Sequence, residues 1–182
     1  MSIIQTILKE VEMVVNQVQE EQLQSLTSEL KKAKRIFIIG EGRSGLMAKS
    51  FAMRLMHLGE TVYVVGESIT PSIQEGDLLV AVSGSGTTKN VVWTSEKTQS
   101  LGCTVIGVTT NSESPLALAS THLLHVPAAT KYRRENELKT IQPLGSLFDQ
   151  SVHILFDTIC LQYGKLNEVD HTQAFGRHSN LE

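Results

Sequence analysis

The stretch that decides the fold is residues 77–90, which read Asp-Leu-Leu-Val-Ala-Val-Ser-Gly-Ser-Gly-Thr-Thr-Lys-Asn. Its apolar run, Leu78 to Val82, is unbroken, which is typical of a parallel strand buried on both faces. Two glycines and four hydroxyl residues follow over 83–88, and a helical pattern begins after them. The glycines let the backbone approach a ligand closely, and the free N–H groups of a helix's first turn attract an anion. The stretch therefore predicts a strand–turn–helix unit whose loop binds phosphate.

Two features limit this interpretation of the loop. It lacks the Gly-Lys-Ser/Thr of a nucleotide-binding P-loop, so it does not indicate a triphosphate with magnesium. Serine and threonine are also good helix N-caps, so a capped turn without a ligand is the alternative.

A second unit of the same kind precedes the first in the chain. Arg35 to Ile39 is predicted as a strand, Gly40 to Gly45 as its loop and Leu46 to Leu58 as a helix. The loop has the G-x-G-x-x-G spacing of a dinucleotide-binding fingerprint. Glu67 is a loose fit for the acidic residue that this fingerprint needs after the next strand. Arg43 at the helix start suits a small anionic ligand, and a solvated or interface-pairing arginine is the alternative.

Further strands are predicted at Val62 to Val65, Cys103 to Val108 and His122 to Val126, with helical segments between them. Strands and helices that alternate in this way predict an α/β three-layer sandwich with a five-stranded parallel sheet. Ligands bind to such sheets beyond the carboxyl ends of the strands, where the strand order reverses. Gly40 to Gly45 and Ser83 to Thr88 both lie at carboxyl ends, so we expect them to form one rim.

Long segments flank the predicted sheet. Residues 2–33 have apolar side chains at helical spacing without Gly or Pro, which predicts one long N-terminal helix. Because it has more apolar surface than one thin domain can cover, we expect it to pack on another subunit or over the sheet. The tail, residues 165–182, has no periodicity and is either disordered or folded over a site. At 182 residues the chain is expected to form one domain, with a core over about 30–165.

A strong amphipathic helix is predicted from Leu144 to Tyr163, ended by Gly164. Asp149, His153 and Asp157 recur every four residues and share one face of this helix. Asp149 lies in the first turns, near the expected rim, where a carboxylate could transfer a proton. For the other two, a polar stripe that faces solvent or a neighbour is the simpler interpretation.

Composition narrows the possible functions. The net charge of −3 gives no global field to attract nucleic acid. The first ten residues have no leader-like pattern, and no apolar run approaches the ~20 residues that cross a bilayer, so we expect a cytoplasmic protein without membrane contact. Cys103 and Cys160 are predicted to be small buried side chains in a reducing compartment. His122 and His125 lack acidic or thiol partners at ligand spacing, so no metal site is expected.

The assembled motifs resemble the sugar isomerase (SIS) domain family. The resemblance rests on Gly40–Gly45, Arg54–Gly59, Ser83–Thr87, Gln142–Phe148 and Arg177–Glu182. The last two segments narrow it to the 6-phospho-3-hexuloisomerase branch of that family. It implies a flavodoxin-like fold and the interconversion of D-arabino-hex-3-ulose 6-phosphate and fructose 6-phosphate through a 2,3-enediol(ate). That reaction belongs to the ribulose monophosphate pathway of formaldehyde fixation.

The resemblance also implies a site without metal or organic cofactor, and homotetramers whose active sites lie between subunits. The residues that would bind the substrate phosphate are Ser44, Ser83, Ser85 and Thr88. Arg43 would polarise the carbonyl or stabilise the enediolate. Proton transfer would fall to His178, reaching in from a neighbouring subunit, or to Asp149. Relatives often carry Glu where this chain has Thr88 and Asp149.

Because these loops occur in other SIS proteins, two alternatives stay open. One is a sugar-phosphate-sensing module without catalysis, although such regulators usually carry a helix-turn-helix domain for which these residues leave no room. The other is an isomerase for arabinose 5-phosphate or for a heptose phosphate.

Overall fold

The computed structural model describes residues 2–135 and 137–181. Over these residues the strands are β1 (Ile36–Gly40), β2 (Val62–Val64), β3 (Leu78–Val82), β4 (Thr104–Thr109) and β5 (His122–His125). They form one sheet in the order β2-β1-β3-β4-β5, and every neighbouring pair is parallel. The predicted five-stranded parallel sheet is confirmed, with strand ends that differ from prediction by at most one residue.

Helices cover both faces of the sheet, which confirms the three-layer arrangement. The helices are α1 (Ile3–Val15), α2 (Glu20–Lys32), α3 (Gly42–His57), α4 (Lys89–Ser100), α5 (Pro115–Leu118), α6 (Ser146–Leu166) and α7 (His171–Phe175). α3 and α6 pack together on one face, where α1 and α2 also contact α6, and α4 and α5 lie on the other. Among the described residues, no helix combines the length and apolar character that crossing a bilayer requires.

β3 explains why the deciding stretch is so apolar. Leu78 and Val80 point into the core beneath α3 and α6, whereas Leu79 and Ala81 point into the smaller core beneath α4 and α5. Successive side chains of a strand point to opposite faces, so a strand covered on both sides needs apolar residues at every position. All five residues of β3 are buried.

The single helix predicted over residues 2–33 is wrong, because α1 ends at Val15 and α2 begins at Glu20. No glycine or proline causes the break. Instead, Gln17 supplies the bonds that end α1, since its backbone N–H donates to Val14 and its side-chain amide donates to the carbonyl of Met13 at 2.8 Å. Both helices pack against α6 within the chain, so the expected cover is at least partly intramolecular.

The C-terminal segments also differ from prediction. α6 continues past Gly164 to Leu166, and it begins at Ser146 because Leu144 has a positive φ of 53° that a helix cannot contain. The tail is not irregular throughout: it forms α7, and Arg177 then donates to the backbone carbonyl of His57 at 3.1 Å. Glu182, the last residue of the predicted tail motif, lies outside the described residues.

Close backbone contact accounts for the glycine spacing of the first loop. A Cβ on Gly45 would lie 2.7 Å from the carbonyl oxygen of Gly40. α3 therefore leaves β1 so tightly that only glycine fits at this position. Glu67, the candidate acidic residue of a dinucleotide site, is 3.8 Å from Lys49 at the surface.

Gly86 allows the backbone conformation of the second loop, and its replacement by alanine measures how much stability depends on it. Gly86→Ala is expected to be strongly destabilising because φ is +67° and a Cβ would overlap the Ser114 side chain and lie 2.8 Å from Thr109 Oγ1. Gly102→Ala is the matched control, since its φ is +74° but nothing lies within 4 Å. The backbone conformation alone costs about 1–2 kcal/mol, and overpacking adds ~1–3 kcal/mol. Denaturant unfolding of both variants measures the difference, and equal losses would contradict the crowding argument.

Candidate active site

The strand order places the two predicted loops side by side. From β1 the chain crosses to β2 at one edge, and it returns to β3 on the other side of β1. The strand order therefore reverses between β1 and β3, where α/β sheets open a crevice at the carboxyl ends. A cavity of about 260 Å³ lies there, lined by residues of both loops. The prediction of one shared rim is confirmed.

Four segments line this cavity. They contribute Glu41, Arg43 and Ser44; Val82, Ser83, Gly84, Ser85 and Thr88; Thr130 and Lys131; and Leu144, Gly145, Phe148 and Asp149. α3 and α4 both begin at the cavity, and within the described residues neither Glu41 nor Thr88 caps its helix with its side chain. The first-turn N–H groups of both helices are therefore available to an anion.

Hydroxyl groups organise the second loop internally. Ser83 Oγ is 2.8 Å from Thr88 Oγ1 and accepts a hydrogen bond from the Gly86 N–H at 3.2 Å. Ser83 is buried, whereas Ser85 and Thr88 are half-buried. Ser83 therefore shapes the loop, and the other two hydroxyls are better placed to meet a ligand.

A buried carboxylate joins the first loop to α6. Asp149 Oδ1 accepts from Ser44 Oγ at 3.1 Å, and its Oδ2 lies 3.3 Å from Arg43 Nε. Arg43 also donates to Ser146 Oγ at 2.6 Å. The structure thus brings three predicted site residues into one cluster at the cavity wall, although Asp149 lies more than 100 positions after Arg43 and Ser44 in the sequence.

The environment of Asp149 favours proton exchange. Burial raises the pKa of this carboxyl, and the Ser44 hydrogen bond and the Arg43 charge offset only part of that effect. A carboxyl with a raised pKa holds a proton more readily near neutral pH, which suits general acid–base chemistry.

His178 lies far from this cluster within its own chain. Its ring stacks on that of His57, with centroids 5.3 Å apart, at the C-terminal end of α3. Ser44 is in the first turn of the same helix, 13 residues earlier, so the two ends are about 20 Å apart at 1.5 Å per residue. Within its own chain, His178 therefore does not line the cavity.

Sequence reasoning missed several lining residues. Thr130 and Lys131 belong to the irregular connection between β5 and α6, where no periodicity indicates a role. Phe148 supports the second loop, since a Cβ on Gly84 would lie 3.2 Å from its ring. Ser146, which accepts a hydrogen bond from Arg43 but is not one of the lining residues, could have been found from the Gln-Pro-Leu-Gly-Ser segment that carries the family resemblance.

The remaining candidate groups have structural partners. His125 Nε2 is 3.0 Å from the Thr110 carbonyl oxygen, and His153 lies 3.8 Å from Asp157, which also accepts from Arg54 at 2.6 Å. Among residues 2–135 and 137–181, no three His, Cys, Asp or Glu side chains gather as a metal site would require. Both cysteines are buried and unpaired, and burial raises the pKa of Cys160 to about 12.

Comparison with known proteins identifies the family. The model of the SIS domain matches residues 29–154. Proteins named 3-hexulose-6-phosphate isomerase match from Bacillus subtilis, with 39% identity over 97% of this chain and 95% of the relative, and from Mycobacterium gastri, with 39% identity over 91% and 82%.

A solved structure from Methanococcus jannaschii gives the same result. Its description infers a molecular function of 3-hexulose-6-phosphate isomerase, and it superposes with a TM-score of 0.84 at 30% identity over 98% of both chains. The chain belongs to the SIS domain family, and over nearly its whole length it is similar to the 3-hexulose-6-phosphate isomerases.

Proposed function

We propose that the chain interconverts D-arabino-hex-3-ulose 6-phosphate and fructose 6-phosphate, in the ribulose monophosphate pathway of formaldehyde fixation. The observation that carries the proposal is the cluster of Arg43, Ser44 and Asp149, which faces the Ser83–Thr88 loop across one cavity. The choice of substrate is supported by relatives that match most of the chain and are named 3-hexulose-6-phosphate isomerase. The cavity supplies an anion-binding rim on one side and an acid–base pair on the other.

The phosphate group is bound at the start of α3 and α4. Ser85 and Thr88 donate hydroxyl hydrogen bonds to it, together with first-turn N–H groups of both helices, and Ser44 does so when its hydroxyl turns away from Asp149. Ser83 keeps the second loop in shape through its bonds to Thr88 and Gly86. This arrangement fixes the phosphate end of the sugar, so the reacting carbons come to one place beside Asp149.

The reaction moves a ketone from C3 to C2 without any change in overall oxidation state. A base removes the C2 proton, a 2,3-enediolate forms, and a proton returns to C3 while the C2 hydroxyl becomes the carbonyl. Asp149 or His178 carries the C2 proton, and neither a metal nor an organic cofactor takes part. The Arg43 guanidinium, half-exposed beside the carboxylate, stabilises the negative oxygen of the intermediate.

We propose that four copies assemble and that the tail of one completes the site of another. The ~20 Å between His178 and its own cavity supports this assembly. Apolar side chains on the outer faces of α3 and α6 support it too: Leu46 is 61% exposed and Leu161 is 63% exposed. Exposed apolar side chains of this kind lose contact with water when copies of a chain assemble.

The compartment and the domain organisation complete the proposal. We place the reaction in the cytoplasm, because the two unpaired thiols suit a reducing compartment. We also propose that the whole chain acts as one SIS domain, with its core over about 30–165.

The direct test is an assay of the purified protein on D-arabino-hex-3-ulose 6-phosphate, with fructose 6-phosphate detected by a coupled dehydrogenase. We expect turnover of this substrate at a kcat/KM well above that for arabinose 5-phosphate or sedoheptulose 7-phosphate. Preference for either of those two would assign a different isomerase. Binding of all three without turnover would indicate a sensing module.

Asp149→Asn is expected to have opposite effects on catalysis and on the stability of the fold. We expect kcat to fall by about 10²–10⁴, the usual contribution of general acid–base catalysis. Stability should rise at pH 7, because burial holds the folded-state pKa above the unfolded one, so the ionised carboxylate destabilises the fold. That penalty fades as the pH falls through the folded-state pKa and vanishes below the unfolded value.

Thermal melts between pH 3 and pH 8 measure the second effect, and Asp157→Asn, half-exposed on the same helix, is the control. An unchanged kcat would remove Asp149 from the mechanism. A lower melting temperature at pH 7 would mean that its bonds to Arg43 and Ser44 outweigh the cost of burial.

His178→Ala should lower kcat while fructose 6-phosphate still binds, because the phosphate-binding loops are untouched. If His178 acts in a neighbouring site, mixed oligomers of His178→Ala and Asp149→Asn chains will contain some intact sites. Co-expression of the two inactive variants should therefore restore part of the activity. Failure of the mixture to exceed either variant alone would contradict a site shared between copies.

A further inference from the structure

The outer wall of the cavity comes from a segment without regular secondary structure. We call it the strap, residues 130–135 and 137–145. Its two ends line the cavity with Thr130 and Lys131 on one side and Leu144 and Gly145 on the other. Leu144 and also Arg133 have positive φ angles of 53° and 49°. This backbone conformation costs about 1–2 kcal/mol per residue, so other contacts must hold the strap in place.

One set of contacts lies inside the strap. The Glu137 carboxylate accepts from the Thr130 N–H at 2.8 Å and from its hydroxyl at 2.6 Å. Arg133 donates to the carbonyl oxygens of Thr130 and Gln142. These bonds give the strap a fixed shape, but they do not attach it to the rest of the molecule.

Glu10 of α1 attaches the strap through three hydrogen bonds. Its carboxylate accepts from Thr140 Oγ1 at 2.6 Å, from the Ile141 N–H at 2.9 Å and from Gln142 Nε2 at 3.0 Å. Partial burial would by itself raise the pKa of Glu10, but these hydrogen bonds and the charge of Arg133 bring it below the usual value. The carboxylate is therefore charged at neutral pH, and charge-assisted hydrogen bonds are the stronger kind.

The chain of contacts continues from Glu10 to the reacting end of the cavity. Gln142 is buried, and its Oε1 accepts from Gln150 Nε2 at 2.7 Å. Gln150 follows Asp149 on α6. Glu10 thus fixes the strap relative to the helix that carries the candidate base.

Lys131 is the residue through which the attachment of the strap can affect ligand binding. Of the two cations that line the cavity, Arg43 is already paired with Asp149. Lys131 forms no ion pair within the described part of the chain; its ammonium group lies 5.2 Å from the Tyr132 ring centroid. Lys131 is therefore the second positive charge that the lining can offer to a sugar phosphate, and its position depends on the strap that carries it.

We propose that Glu10 is a positioning residue of the site: through Thr140, Ile141 and Gln142 it fixes the strap, so that Lys131 stands at the cavity and contributes to binding of the phosphorylated substrate. This inference rests on the proposed function. It assigns a role at the site to α1, a helix whose other contacts are those of packing.

Glu10→Gln tests the proposal with little change in volume. Three donors converge on the two oxygens of Glu10, and the substitution replaces one oxygen by an NH₂ group that meets a donor. We expect KM for the hexulose phosphate to rise about tenfold, as the loss of a well-placed charge-assisted hydrogen bond implies, with kcat within about threefold. Glu12→Gln is the matched control, because Glu12 is exposed on the same helix.

A second variant tests whether the effect passes through the strap. Thr140→Val removes one of the three donors from the other side of the contact. If both substitutions act through one attachment, the double variant should raise KM much less than the product of the two single effects. Full multiplication of the effects would overturn the proposal, as would equal KM values in the Glu10→Gln and Glu12→Gln proteins.

Hydrogen exchange separates this inference from the proposed function. The Ile141 amide should exchange faster in Glu10→Gln than in the unchanged protein, whatever the chain catalyses. Should the unchanged protein fail to turn over the hexulose phosphate, the proposed function fails, and the affinity for fructose 6-phosphate, measured by calorimetry, replaces KM. Faster exchange with unchanged affinity would then overturn the positioning role, whereas faster exchange with weaker binding would support it.

Discussion

The Asp149 carboxylate is the contact on which the site depends. It lies buried at the start of α6 and joins Ser44 and Arg43 at the start of α3, so two helices from distant parts of the chain meet at one point. Burial makes the ionised form unfavourable, and the two partners compensate only in part. A neutral side chain at this position would favour the stability of the fold. A buried carboxyl kept despite this cost is typical of a site that transfers protons.

The second loop shows how a departure from the family pattern is accommodated. The family resemblance implies that Glu is frequent at the position of Thr88, whose hydroxyl is 2.8 Å from Ser83 Oγ. A glutamate there would bring a third carboxylate to a cavity that is already lined by Asp149 and Glu41. With threonine, the loop brings no further negative charge to the cavity.

Much of the fold could be predicted from the sequence because its strands are buried on both faces. The run Leu78–Val82 has no polar interruption, and that pattern fits few alternatives. Helix ends were less predictable, since the break after Val15 depends on hydrogen bonds from Gln17, which does not usually end helices. At Gly164 the helix was predicted to end, but it continues to Leu166. Gly164 lies inside α6, where it packs close to Leu58.

The site was predictable only where it depends on local geometry. Gly40–Gly45 and Ser83–Thr88 share a rim because parallel strands bring their carboxyl ends together. The strap has no periodicity, and its shape depends on Glu10 from a helix about 130 residues earlier in the chain. No local pattern can indicate such a contact. If the tail completes a neighbouring site as proposed, the place of His178 depends further on that assembly.

The tight turn between β1 and α3 has a consequence for how such chains are recognised. The three glycines of its loop reproduce the spacing of a dinucleotide-binding fingerprint, yet at Gly45 the cause is the carbonyl group of Gly40. Backbone proximity alone can therefore produce this spacing in a protein that binds a different class of molecule. Pattern searches for nicotinamide or flavin enzymes will return chains of this kind, and only an acidic residue bound to the ribose separates the two groups.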